Sequence, residues 1–336
     1  MSAVARIDWQ RWLRLLNKGF AVLFVGLLAV GLVTVLRTQD FTPVRELAAS
    51  LDPATVYLAV GAAVTINCVG LVCGFVSWRA LFLDLGARVG TPTAARIFFV
   101  GFLVKFVPGR FVALPVLVRM GKAIEVGPVR LASVFVLSWS IVALTGLTVG
   151  IAAGPAAIGG GMWWLLAAAL PLAVLLVRPD LLDRGVGVAA RVLRRPPPDV
   201  SASAQGVRRA IVVQTVSWII SGHHLWLLAV TAGAPPGASY LVCVAGFALA
   251  TVTGLLVMVA PDGLGIREAV LALALATVMP LPLASTLVLA SRLVSVLSDV
   301  AVGAGGLLLA QYLHRRRLRM AQAQTEAVLS DPVPAR

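Results

Sequence analysis

Charge is what this sequence has least of. Asp, Glu, Lys and Arg make up 12% of its 336 residues, against about 25% in a soluble globular domain. That shortage excludes an ordinary water-soluble fold, and no stretch has both the length and the polarity for a separate soluble domain. Cysteine is nearly absent. Cys68, Cys73 and Cys243 all lie in apolar runs. They have no zinc-site spacing and imply no disulfide framework, so they read as small buried hydrophobes. Histidine is as scarce: His223, His224 and His314 are too few for a His-rich centre, so no metal is expected. No Walker A loop occurs, which excludes ATP hydrolysis by this chain, and no cofactor is expected.

What is present is apolar: 60% of residues are hydrophobic and the mean hydropathy is +0.96. Runs near the roughly 20 residues needed to cross hydrocarbon fall at 19–36, 56–77, 131–150, 161–177, 210–230, 240–260 and 284–311. Two more apolar stretches, 93–120 and 263–281, contain turn-forming breaks and charges. The first predicts a re-entrant helical hairpin and the second an extra short span. The expected fold is therefore all-α: a polytopic integral membrane helical bundle with about seven full spans, one short span and one re-entrant hairpin.

The net charge of +14 follows from membrane topology rather than from nucleic-acid binding. Basic residues collect in three places: Arg6, Arg11, Arg14 and Lys18 at the N-terminus, seven arginines in 178–209, and Arg315, Arg316, Arg317 and Arg319 in the tail. Connections near 151–160 and 231–239 carry no charge. The positive-inside rule places the first three in the cytoplasm. The expected organisation is a cytoplasmic segment 1–18, a transmembrane domain 19–313 with a cytoplasmic basic segment 178–209, and a cytoplasmic basic tail 314–336. The first run has no small-x-small cleavage site before Arg37 and is expected to stay as an uncleaved span of the cytoplasmic membrane. Within 178–209, LLDRGVGVAARVLRR suits either a short helix on the inner leaflet or a solvated loop. The tail after Met320 is expected to be disordered.

Polar groups at membrane depth are expensive, which draws attention to three places. In 101–122, Lys105, Arg110 and Arg119 punctuate an apolar stretch that Pro108-Gly109 breaks. This is either a hairpin whose cations meet an anionic headgroup, or an interfacial helix with snorkelling arginines. In VMVAPDGLGIREAVLALAL, residues 257–275, Pro261, Asp262, Gly263 and Gly265 form a turn, with Arg267 and Glu268 opening a new helix. Its free N–H groups and Arg267 could hold an anion; an ordinary capped cytoplasmic loop is the alternative. In SRLVSVLSDVAVG, Arg292 and Asp299 lie on one helical face. Their separation along the axis, about 10.5 Å, is long for a direct pair. Glu268 is a candidate partner for Arg292, and Arg267 or Lys105 for Asp299, while Ser291, Ser295 and Ser298 favour close packing.

Pro261-Asp262-Gly263-Leu264-Gly265-Ile266-Arg267-Glu268 resembles the Pro-Gly-Gly-Leu-Gly-x-Arg-Glu signature of the flippase-like membrane domain, the transmembrane region of lysylphosphatidylglycerol synthases. Val107-Pro108-Gly109-Arg110 and the Arg292…Asp299 spacing support it, over about residues 10–315. Asp262 departs from the pattern, standing where the family has glycine. The resemblance implies movement of a lipid between leaflets, with membrane lipids as partners. In the synthases a separate cytoplasmic domain makes the lipid; this chain leaves no stretch for one, so lysyl transfer is not expected from it. The expected function is a lipid flippase or transporter-like protein for a polar or anionic headgroup, through a path of Lys105, Pro108, Gly109, Arg110, Pro261, Asp262, Gly263, Gly265, Arg267, Glu268, Arg292 and Asp299. Two alternatives stand beside it. One is a headgroup-modifying enzyme using Glu268, Asp262 or Asp299 as acid–base groups, with His223 and His224 pointing about 100° apart. The other is a non-transporting subunit that recruits a cytoplasmic partner enzyme through 178–209.

Overall fold

The computed structural model describes residues 42–87, 89–103, 128–152, 163–181, 184, 187–188, 202–256 and 263–330. Among them every regular element is a helix: α1 (Thr42–Ser50), α2 (Pro53–Asp84), α3 (Thr91–Leu103), α4 (Pro128–Ile151), α5 (Trp163–Val177), α6 (Ala204–Thr231), α7 (Pro236–Leu256), α8 (Ile266–Leu275) and α9 (Leu281–Ser330). The chain divides into two compact units, 1–50 and 51–336. Helix α1 belongs to the first and the other helices to the second.

Five stretches among the described residues are long and apolar enough to cross a membrane: Pro53–Asp84, Ser133–Ile151, Ala204–Thr231, Pro236–Leu256 and Leu281–Leu313. They coincide with five of the runs expected as spans. Run 19–36 lies outside the described residues. Run 161–177 appears as α5, a 15-residue helix with Pro171 inside, about 22 Å long. Of the expected hairpin, α3 is described and 104–127 is not. The expected short span contains α8, a helix of 10 residues. It is about 15 Å long, roughly half the hydrocarbon thickness.

Local chemistry sets the helix ends. Asp52 caps α2 by accepting from the Thr55 N–H at 3.3 Å, and Pro53 follows at the first turn, where its missing N–H is harmless. Ser203 caps α6 by accepting from the Gly206 N–H at 3.0 Å. At its far end α6 closes with Gly233 N–H to Val230 O at 3.0 Å and Ala234 N–H to Ala229 O at 2.9 Å, a Schellman pair. The tail differs from expectation. Helix α9 continues to Ser330, because MAQAQTEAVLS is rich in Ala, Gln and Glu, which favour helix without tertiary support. In the basic segment, residues 180–181, 184 and 187–188 are helical, and Asp180 pairs with Arg184 one turn on, at 2.9 Å. Arg208, assigned to that segment, lies within α6. Its Nε donates to Leu176 O at 2.7 Å and so covers the open carbonyl end of α5.

Lipid tails are as apolar as leucine, so small residues and hydrogen bonds hold the helices together. Helices α2 and α6 run antiparallel. Ser77 Oγ donates to Ala210 O at 2.8 Å and Ser217 Oγ to Gly70 O at 2.7 Å. Such bonds average about 0.6 kcal/mol in a membrane, so their larger effect is on register. Two apolar clusters occupy the two ends. One gathers Trp78, Phe82, Ile97, Leu131 and Ile211, and the other Trp218, Leu225, Phe247, Leu271 and Leu275. Helix α9 contributes Ala284–Val294 positions to the second and Ala310 to the first. Arg292 therefore falls beside the second cluster, and Asp299 between the two.

Gly222 of α6 faces the α7 backbone, where an added Cβ would stand 2.6 Å from Val244 Cα, whereas Gly61 has nothing within 4 Å. Gly222→Ala is expected to lower the thermal unfolding midpoint in detergent through an overpacking penalty of about 1–3 kcal/mol. Gly61→Ala should leave it unchanged or raise it slightly. Equal midpoints for the two variants would contradict this packing.

Candidate functional site: a buried charged centre between four helices

The turn before α8 depends on glycine. Gly263 and Gly265 have φ of 68° and 87°, the left-handed region that side chains with a Cβ avoid. The turn presses on α7: a Cβ on Gly254 would stand 3.1 Å from Gly263 Cα and 3.3 Å from Arg267 Cβ. Further along, a Cβ on Gly246 would lie 3.0 Å from Ala274 Cβ, so α8 runs antiparallel to α7. This places the first turn of α8, with Arg267 and Glu268, inside the bundle rather than beyond its end.

Arg267 is 6% exposed. Its Nη2 donates to Ser295 Oγ of α9 at 3.0 Å, and its guanidinium lies over the Phe247 ring of α7, 5.2 Å from the centroid. A cation over an aromatic face contributes about 0.5–2 kcal/mol, most when desolvated. Glu268 joins two elements. Its Oε2 accepts from the Gly265 N–H at 2.5 Å, half of a capping box, since glycine has no side chain to complete the other half. Its Oε1 lies 3.4 Å from Arg292 Nη1 of α9. Arg292 stands about 17 Å of helical rise after the first residue of α9, within its apolar stretch Leu281–Leu313.

His224 of α6 completes the centre. It is fully buried. Its Nδ1 faces the Ser221 carbonyl, which can only accept, so Nδ1 carries a hydrogen. Its Nε2 faces Ser291 Oγ of α9 at 2.9 Å. The His224 ring meets Phe247 edge-on, 4.8 Å between centroids, so Phe247 touches both His224 and Arg267. His223 faces away, towards the Tyr240 hydroxyl at 3.2 Å, as two neighbours on a helix must.

The structure places Gly263, Gly265, Arg267, Glu268 and Arg292 together and pairs Glu268 with Arg292. Asp299, also expected, is buried on α9 at 3% exposure. Lys105, Pro108, Gly109, Arg110, Pro261 and Asp262 lie outside the described residues. Two members lie outside the expected headgroup path: His224, weighed with His223 only in the enzyme alternative, and Phe247. Gln214, Ser217, Ser221 and His224 are all buried and recur every three to four residues. That polar stripe on one face of α6 was a signal available in the sequence. No group of three or more potential metal ligands occurs among the described residues.

Chemically the centre suits binding. Guanidinium groups match phosphate and carboxylate oxygens in pairs. Both Glu268 oxygens are already engaged, one on a backbone N–H and one on Arg292, which leaves little for proton transfer. The space bounded by Arg267, Glu268, Leu271, Val288, Ser291 and Arg292 is too small for a water molecule, so the centre is closed in this conformation.

Several apolar helices with ionised side chains joined inside the bundle define a multi-pass membrane protein with a built polar centre. Residues 19–303 match the family described as the lysylphosphatidylglycerol synthase TM region, and the chain belongs to that family. A search among curated proteins gives no match.

Removing one member of a buried ion pair strands the other, a loss of about 3–5 kcal/mol in a fully buried case. These side chains are 18% and 22% exposed, so a smaller loss is expected. Glu268→Gln keeps an acceptor for the Gly265 N–H and deletes only the charge. The expected outcome is a lower unfolding midpoint for Glu268→Gln and for Arg292→Gln, with the double variant less destabilised than the two singles added. Strict additivity in that double-mutant cycle would show that the pair is not coupled.

Proposed function

We propose that the protein is a lipid flippase or transporter-like protein of the cytoplasmic membrane. In this reading the centre formed by Arg267, Glu268, Arg292 and His224 receives a polar or anionic lipid headgroup while the acyl chains stay in the bilayer. One observation carries the proposal: Glu268 pairs with Arg292 across α8 and α9 and Arg267 bonds Ser295 beside them, inside a bundle of membrane-spanning helices where charge is costly and usually functional. The half-length α8 adds support, since helices that begin inside the membrane present free N–H groups to polar cargo. Membership of a family named for a lipid synthase's membrane region points to the same kind of ligand.

The topology that goes with it has about seven full spans, a short outward crossing through α8 and a re-entrant hairpin beginning with α3. Both termini are cytoplasmic by the positive-inside rule. Antiparallel α7 and α8 agree with that path. The closed centre corresponds to one state of an alternating cycle, in which α8 and α9 part to admit a headgroup and Arg292 exchanges Glu268 for it. The enzyme alternative finds less support, because Glu268 is held by Gly265 and Arg292.

The test is reconstitution of the purified chain into liposomes carrying headgroup-labelled phospholipids of several classes. At least one class should cross between leaflets faster than in protein-free liposomes, and Glu268→Gln or Arg292→Gln should slow it by about tenfold, the effect of roughly 1.4 kcal/mol on a rate. No acceleration for any class would contradict a transport function.

A further inference from the structure

A second polar feature lies at the end of the bundle where α2 finishes and α6 begins. A cavity of about 420 Å³ opens there, between Arg79, Leu83 and Asp84 of α2, the cap residue Ser203, and Gln205 and Arg209 of α6. It shares no residue with the centre on α8 and α9.

Its frame is rigid. The Asp84 carboxylate accepts from the Ser203 N–H at 2.5 Å and from the Ser203 hydroxyl at 2.6 Å, and Ser203 caps α6 in turn. That single carboxylate is thus committed to the helix start. Two arginines, Arg79 and Arg209, line the same space, leaving an excess of positive charge. Arg79 Nε is buried with no hydrogen-bond partner. A buried donor left unmade is unfavourable, so Arg79 gains by any shift that brings an acceptor to it. Guanidinium geometry selects phosphate or carboxylate oxygens.

The remaining walls are apolar, with Val76 and Ala80 also lining the cavity. Val69, Val72 and Val76 of α2 and Val212, Val216 and Ile219 of α6 are exposed at the protein surface. Spacings of three and four residues keep each set on one helical face. Because α2 and α6 are antiparallel, both faces run from the cavity along the bundle in the same direction. A ligand that fits has an anionic head and long apolar tails.

We propose that this cavity is a phospholipid site, distinct from the centre on α8 and α9. It holds the headgroup phosphate between Arg79 and Arg209, with the acyl chains along the two valine-rich faces. The site is independent of any transport function, and translocation is not its readout. Titration of the purified full-length chain, followed by native mass spectrometry, tests it with three probes: dioleoyl-phosphatidylglycerol, dioleoylglycerol and inorganic phosphate.

Wild-type protein is expected to retain one tightly bound phosphatidylglycerol that dioleoylglycerol does not displace. Arg79→Gln/Arg209→Gln should weaken it at least tenfold without lowering the unfolding midpoint. Ala80→Trp keeps both guanidiniums but fills the apolar wall, and it should weaken the lipid equally. Undiminished phosphatidylglycerol binding in either variant, or equal binding of dioleoylglycerol, would overturn the proposal. Displacement of the lipid by inorganic phosphate at equal concentration would assign the site to soluble phosphate and overturn the lipid assignment.

Discussion

A carboxylate cannot sit alone among hydrocarbon-spanning helices, and Glu268 does not. Its two oxygens reach the N–H that opens α8 and the guanidinium of Arg292 on α9. A single Arg or Asp at the centre of a membrane helix costs roughly 2.5–3.5 kcal/mol on insertion scales. That sum falls on each helix unless the charges meet. The pair therefore does more than neutralise: it fastens a 10-residue helix, too short to span, to the long helix beside it.

The surrounding frame lets the pair form at depth. Gly263 and Gly254 bring the turn before α8 against α7, which carries Arg267 under the ring of Phe247. Phe247 in turn touches His224, and His224 reaches Ser291, one residue from Arg292. Four helices are thereby linked through one aromatic ring, one imidazole and two serines. At the Asp84 end the polar cavity is built differently, on a fixed Asp84–Ser203 clasp with arginines on either wall.

The spans were legible because crossing hydrocarbon imposes a length, and runs such as 56–77 and 210–230 meet it whatever packs around them. The charges of the centre were legible for a related reason: Arg267, Glu268 and Arg292 stand out where charge is rare. Their partners were harder. Glu268 was a candidate for Arg292, and fixing the pair needs the relative placement of α8 and α9. His224 is separated from Ser291 by 67 positions, and Asp84 from Ser203 by 119; neither contact leaves a local pattern. Beyond Met320 the chain is helical rather than disordered, because the helix preference of Ala and Gln outweighs the polarity of the segment. Asp262 lies outside the described residues. Its neighbours Gly263 and Gly265 do adopt the left-handed backbone that the family's glycine-rich signature suggests.

A lipid headgroup that enters the centre must come within bonding distance of α8 and α9. The most direct measurement is photo-crosslinking in membranes with a phospholipid carrying a diazirine in its headgroup, mapped by mass spectrometry. Adducts between Arg267 and Ser295, lost in Glu268→Gln, are the predicted result. Headgroup adducts confined to the ends of the helices, with none between Arg267 and Ser295, would contradict a headgroup path through the charged centre.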